Sequence, residues 1–142
     1  MLSYFDTSVL MAILLDEEKK EEAFKYWQSS IRVSSILLKI ETTIGLRRTY
    51  QNNKHLLEND WLTKKNKIMN EYFNEVNFMV VDNIIDREIQ HQKELAKCRS
   101  LDAIHIASAI QFRIINKDMV FYTFDKSMHA LAEYYKFNTN TF

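Results

Sequence analysis

A single glycine, Gly45, and no proline in 142 residues constrain this chain more than any other feature of its sequence. A phosphate-binding loop or a dinucleotide turn needs several glycines where backbone approaches phosphate, so both are excluded. An all-β domain, with its many tight turns, is disfavoured for the same reason. Cys98 is the only cysteine, which removes a disulfide framework and a cysteine-based zinc site. No stretch approaches the roughly 18 uninterrupted apolar residues that span a membrane. Met1–Asp6 has no basic stretch ahead of an apolar one, so the expectation is a cytosolic protein of one domain, residues 1–142.

Short β-type runs alternate with longer helical ones. Strands are expected at Leu2–Phe5, Ile31–Val33, Phe78–Val81 and Met119–Phe124, with a short edge strand within Phe137–Phe142. Helices are expected at Val9–Leu15, Lys19–Gln28, from a Ser34 or Ser35 cap to about Tyr50, and at Leu56–Asn74. Three more follow: Ile84–Arg99 capped by Asp82, Leu101–Ile115 capped by Ser100, and Lys126–Tyr135. The helix over Leu101–Ile115 is apolar on nearly every side and should be buried. Strands separated by helices imply a parallel sheet covered on both faces, a three-layer α/β/α sandwich.

In such a sheet ligands bind beyond the carboxyl ends of the strands. Asp6, Asp82 and Asp125 fall there, and Asp102 opens the buried helix. Each has a bland explanation as a helix cap or a first-turn carboxylate. Glu41 is harder to explain, because its helical neighbours are Leu37, Leu38, Ile44 and Gly45. No Lys or Arg shares that stripe, and Gly45 would leave space beside the carboxylate, so a metal is a reasonable cation for it. Carboxylates gathered without cysteine or paired histidine make a hard-oxygen site suited to Mg²⁺ or Mn²⁺, and the chemistry that fits is phosphate-ester hydrolysis.

Net charge is zero, with 19 basic and 19 acidic residues, so a general affinity for polyanions is not supported. The balance is uneven, however: residues 31–67 carry eight basic side chains against three acidic ones. Arg47, Arg48, Lys54 and Lys64–Lys67 are candidate RNA-backbone contacts or solvated helix faces.

At Phe5-Asp6-Thr7-Ser8, Ile40-Glu41-Thr42, Arg99–Ala109 and Thr123-Phe124-Asp125 the chain resembles PIN-domain nucleases, in particular the VapC-type toxins of toxin–antitoxin pairs. The Asp102 segment, Ser100-Leu101-Asp102-Ala103-Ile104-His105, is the most specific part. The resemblance implies a five-stranded parallel sheet and an Mg²⁺ or Mn²⁺ site formed by Asp6, Glu41, Asp102 and Asp125. Thr7 or Ser8, and Thr123, would orient carboxylates or waters. It also implies endoribonuclease activity that leaves a 5′-phosphate and a 3′-hydroxyl, inhibition by a cognate antitoxin, and a homodimer. Asp82 has no counterpart in that set and stays a cap.

Two alternatives stand beside this reading. A non-catalytic PIN-like domain would bind RNA or a partner without cleaving. An aspartyl-phosphate phosphatase using Asp6 would want a second Asp two residues on, where Ser8 stands. His105, three residues after Asp102, either shares a metal or is a hydrogen-bonded core histidine, and the apolar helix favours the second. Cys98 shows no activating surroundings. Trp61 to Phe73 reads as a core or dimer seam rather than a base-stacking platform.

Overall fold

None of the first four strands exceeds five residues, and each hands the chain to a helix. The structure, a computed structural model, describes residues 1–141. Strand β1 (Leu2–Phe5) leads into α1 (Thr7–Leu14) and α2 (Lys20–Gln28). Strand β2 (Ile31–Ser35) leads into α3 (Leu37–Asn52) and α4 (Trp61–Phe73). After β3 (Val76–Met79) come α5 (Asn83–His91), a 3₁₀ turn (Lys93–Lys97) and α6 (Ser100–Ile115). Strand β4 (Val120–Tyr122) precedes α7 (Lys126–Tyr134) and the two-residue β5 (Asn138–Thr139).

The five strands form one sheet in the order β3-β2-β1-β4-β5, and every pairing is parallel. Alternate side chains go to opposite faces. Tyr4 and Phe121 join the core under α6 and α7, while Phe5 joins the core with α1 to α4, against which Tyr122 packs. Because Tyr4 pairs with Phe121 and Phe5 with Tyr122, rings stack across β1 and β4 on both faces, at 5.0 and 5.2 Å between centroids. Such pairs contribute ~0.5–1.5 kcal/mol each beyond their burial. The chain builds outward from β1 to β3 and then returns past β1 to β4. The reversal of strand order therefore falls between β1 and β4, where an open α/β sheet has its binding crevice. Among the described residues no helix is long and apolar enough to cross a membrane.

The three-layer sandwich matches the sequence reading; several boundaries do not. Strand three ends at Met79 rather than Val81, because its partner β2 stops at Ser35 and the Ile36 N–H already closes on Met79 O. Val80 and Val81, apolar and β-branched, lie past the last pairing and are exposed. The helix expected to run to Arg99 stops at His91, and the 3₁₀ turn that follows carries Leu95 into the core. Ser100 is the first residue of α6 and makes no cap bond, nor does Arg99 before it. Ser35 does serve α3, accepting from the Leu37 N–H, whereas Ser34 donates to Phe5 O across the sheet. Helix α4 begins at Trp61 rather than Leu56, which is exposed. α6 is buried through its middle, but Leu101, Ile114 and Ile115 are exposed at its ends. Of the strand expected within Phe137–Phe142, the ladder uses Asn138–Thr139; Phe142 lies outside the described residues.

Candidate active site

Asp6 stands where β1 turns into α1, directly above the β1–β4 crevice. Its Oδ1 accepts from the Ser8 N–H at 3.0 Å and from the Ser8 hydroxyl at 2.5 Å, so it is a genuine N-cap. Its Oδ2 accepts from the Thr123 hydroxyl at 2.5 Å. Thr123 Oγ1 in turn accepts from the Asp125 N–H, and Ser8 Oγ accepts from the Phe124 N–H. The turns after β1 and β4 are thereby stitched together by side chains where the strand ladder has ended. Asn140 adds a third tie: its amide takes the Thr123 N–H at 3.0 Å and donates to Thr123 O at 2.9 Å, in the manner of one more strand residue.

This network holds a carboxylate that is only 4% exposed. Burial pushes the Asp6 carboxyl up to about 6; the Ser8 and Thr123 hydrogen bonds pull it back, and the nearby Asp125 carboxylate pushes it higher. Asp125 caps α7 through its Oδ1, which accepts from the Met128 N–H, and it is otherwise exposed at the rim. Asp102, half-buried in the first turn of α6, accepts no hydrogen bond among the described residues. Burial raises its carboxyl above the usual range, and the Asp125 and Glu41 carboxylates raise it further. The four acidic side chains thus belong to one electrostatic neighbourhood. They are not a preassembled cage, since among the described residues no three His, Cys, Asp or Glu side chains are grouped closely enough to hold one ion.

Glu41 departs from expectation in its partner. Its Oε1 accepts from the Thr7 hydroxyl at 2.7 Å and is 2.6 Å from His105 Nε2. Burial raises its carboxyl, but the hydrogen bonds from His105 and Thr7 outweigh burial and leave it below the ordinary value. The polar neighbour that its own helix lacks is thus supplied by α6 and α1. Gly45 serves a different purpose from the one its position suggested. A Cβ there would lie 2.8 Å from Met11 Cε and 3.1 Å from Met11 Sδ, so the missing side chain admits Met11 of α1 rather than a ligand beside Glu41.

Beside Asp102 and Asp125 opens a cavity of about 570 Å³ whose wall continues over Arg99, Lys97, Ser127 and Leu131. The family model described as "PIN domain" matches residues 3–134. The chain belongs to the PIN-domain family. No curated protein matches it in sequence. A solved structure titled "Toxin-antitoxin complex from Klebsiella pneumoniae" superposes with a TM-score of 0.65 at 16% identity, covering 90% of each chain, and so shares its fold.

The basic middle of this PIN domain is largely accounted for by its own neighbours. Lys64 pairs with Asp60 and Glu58, and Lys65 with Asp16. Lys39 lies over the Phe73 and Phe78 rings and Lys54 over Tyr50. Arg47, Arg48 and Lys67 are exposed and make no ion pair among the described residues. Asp82 caps α5 through the Ile84 N–H, and its side chain makes no other hydrogen bond among the described residues. Tyr4, Asn140 and the Glu41 bond of His105 are the parts of the site that sequence reasoning did not assign. The one available signal was the spacing of His105 from Asp102.

Proposed function

We propose that this PIN domain, a single domain over residues 1–142, is a Mg²⁺- or Mn²⁺-dependent endoribonuclease and the toxin of a type II toxin–antitoxin pair. In this reading it acts in the cytoplasm as a homodimer and is restrained by a cognate antitoxin. PIN domains are typically nucleases, and the structural neighbour described above is titled a toxin–antitoxin complex. The observation that supports the reading is the electrostatic coupling of carboxylates from separate elements, Asp6 with Asp125 and Asp102 with both Asp125 and Glu41. One of them, Asp6, is buried at a cost that a cation would offset.

The donor set fits a hard divalent ion. It is all oxygen, and Glu41 Oε2, Asp125 Oδ2 and both oxygens of Asp102 carry no protein donor among the described residues. Asp6 and Asp102 would hold the ion directly, with Glu41 and Asp125 reaching it through water or completing a second position. When bound, the ion supplies Lewis-acid stabilisation of charge on the phosphodiester. Thr7, Ser8 and Thr123 orient Glu41 and Asp6 through their hydroxyls. One of the carboxylates would take the proton of the attacking water. Arg99, on the wall shared with Asp102 and Asp125, would meet phosphate charge, whereas Lys97 on the same wall already pairs with Glu94.

An aspartyl-phosphate phosphatase is disfavoured, because Ser8 stands where a second Asp would serve as general acid, and its hydroxyl proton goes to Asp6. The decisive assay is cleavage of a defined RNA pool with and without chelator. Wild-type protein should cleave only with metal, leaving a 5′-phosphate, and Asp102→Asn should not cleave. Equal activity in chelator, or in Asp102→Asn, would overturn the proposal. RNA retained by both proteins without cleavage would mark a binding module instead.

A further inference from the structure

A line of buried hydrogen bonds runs from the middle of the sheet to Glu41, and the hydrolytic reading makes no use of it. Tyr4 is fully buried on β1, and its hydroxyl accepts from the Ser35 N–H at 3.1 Å and lies 2.7 Å from His105 Nδ1. The direction of each bond follows from counting protons. The two serine hydroxyls near Tyr4 are committed elsewhere, Ser34 to Phe5 O and Ser108 to Ile104 O. Glu41 Oε1, an ionised carboxylate oxygen, can only accept, so the ring nitrogen facing it carries a proton, and a neutral ring then leaves Nδ1 bare to accept from the Tyr4 hydroxyl. The ring proton then sits on Nε2, 2.6 Å from Glu41 Oε1, and donates to it. With Thr7 donating to the same oxygen, Oε1 is occupied twice and Oε2 not at all. His105 is 2% exposed and has both ring nitrogens engaged, so it cannot also be a ligand.

We propose that Tyr4 and His105 are positioning residues: Tyr4 fixes the His105 tautomer, His105 fixes Glu41, and Glu41 is thereby presented to a divalent cation through Oε2 alone. The proposal rests on Glu41 helping to hold the metal, but its hydrogen-bond order is testable without one. The anchor lies in the rigid centre of the sheet, where Tyr4 stacks on Phe121, so the orientation of Glu41 is set by the core rather than by a surface loop.

Two measurements decide it. Long-range ¹H–¹⁵N correlation on the metal-free protein should show His105 protonated at Nε2 and bare at Nδ1, with Tyr4→Phe moving proton occupancy toward Nδ1. A wild-type ring carrying its proton on Nδ1, alone or with Nε2, overturns the positioning and leaves the nuclease reading intact. Second, Mn²⁺ alone is titrated calorimetrically into wild type, Tyr4→Phe, His105→Leu and His105→Gln. Tyr4→Phe and His105→Leu should bind roughly 10–100-fold more weakly. His105→Gln should recover most of the affinity, because its amide offers an N–H to Glu41 and a carbonyl to Tyr4. Equal affinities in all four proteins, or losses that merely follow melting temperature, overturn it. A wild-type protein that takes up no Mn²⁺ overturns the nuclease reading together with the cation half of this one, whatever the tautomer.

Discussion

Replacing Asp6 by asparagine should stabilise the metal-free protein at neutral pH and do progressively less as the solution is acidified. The folded carboxyl titrates at about 6 against an ordinary 3.8, because it is buried. A carboxyl raised in this way favours the fold while it is protonated. That contribution is complete below about 3.8 and is lost as pH rises through about 6. The gap is worth about 3 kcal/mol at 1.36 kcal/mol per pH unit. Asparagine escapes this loss, but its amide N–H₂ replaces one accepting oxygen and leaves a Ser8 or Thr123 donor without its acceptor, at about 1 kcal/mol. The net expectation is about 2 kcal/mol in favour of Asp6→Asn at pH 7.5, or about 4–8 °C in melting temperature for a chain of this size. Chemical denaturation in chelator at half-unit steps from pH 4 to 8 measures it. The advantage of the variant should climb between pH 4 and 6 and level off above. Adding Mn²⁺ at one hundred times its dissociation constant contributes about 2.7 kcal/mol to wild type and should erase that lead. A variant advantage that does not change with pH, or a variant less stable than wild type at pH 7.5 in chelator, would refute the assignment of Asp6 as a strained, buried anion.

Four further outcomes are expected. Asp102→Asn should melt within about 1 kcal/mol of wild type in chelator but gain less from Mg²⁺ or Mn²⁺; equal gains in thermal scans would count against the site. Glu41 lies below its ordinary 4.5, so its contribution to stability is present above that value and lost as pH falls through the folded one. Glu41→Gln should accordingly cost about 1 kcal/mol at pH 7, by urea denaturation, and almost nothing in acid. Thr123→Val leaves the Asp125 N–H unpaired and takes one donor from Asp6. It should cost about 1–3 kcal/mol and drive the Asp6 carboxyl higher still, as read by carboxyl ¹³C titration. Gly45→Ala gains about 0.8–1 kcal/mol of helix propensity against displacement of a flexible Met11 terminus, so unfolding should show a small net stabilisation.

The layers of the fold were legible in the sequence because strand–helix alternation is a long-range pattern that survives errors of a few residues. Boundaries were less so, and each miss has a tertiary cause. Val80-Val81 has strong strand character, but pairing ends where β2 gives way to α3. Ile84–Arg99 has helical periodicity throughout, but burying Leu95 requires the chain to tighten into a 3₁₀ turn. Ser100 is a good cap by composition, yet α6 already includes it. Local propensity loses in all three places to the demands of a partner element.

The candidate site shows why capping and chemistry cannot be told apart by residue type. Asp6, Asp82 and Asp125 all cap helices, as their sequence positions suggest. What separates them is the remainder of each carboxylate. Asp82 is exposed, whereas Asp6 is enclosed and Asp125 stands within its field. A cap consumes one oxygen; function depends on the surroundings of the other, and those are set by α3, α6 and the turn after β4, whose Thr123 lies 117 residues from Asp6 along the chain. His105 makes the same point in reverse. It is the buried, hydrogen-bonded histidine that an apolar helix implies, yet the acceptor it found is Glu41, so a residue correctly read as core sits one hydrogen bond from the candidate metal ligands. Sequence spacing can place both residues on neighbouring helices, but only packing aims one at the other.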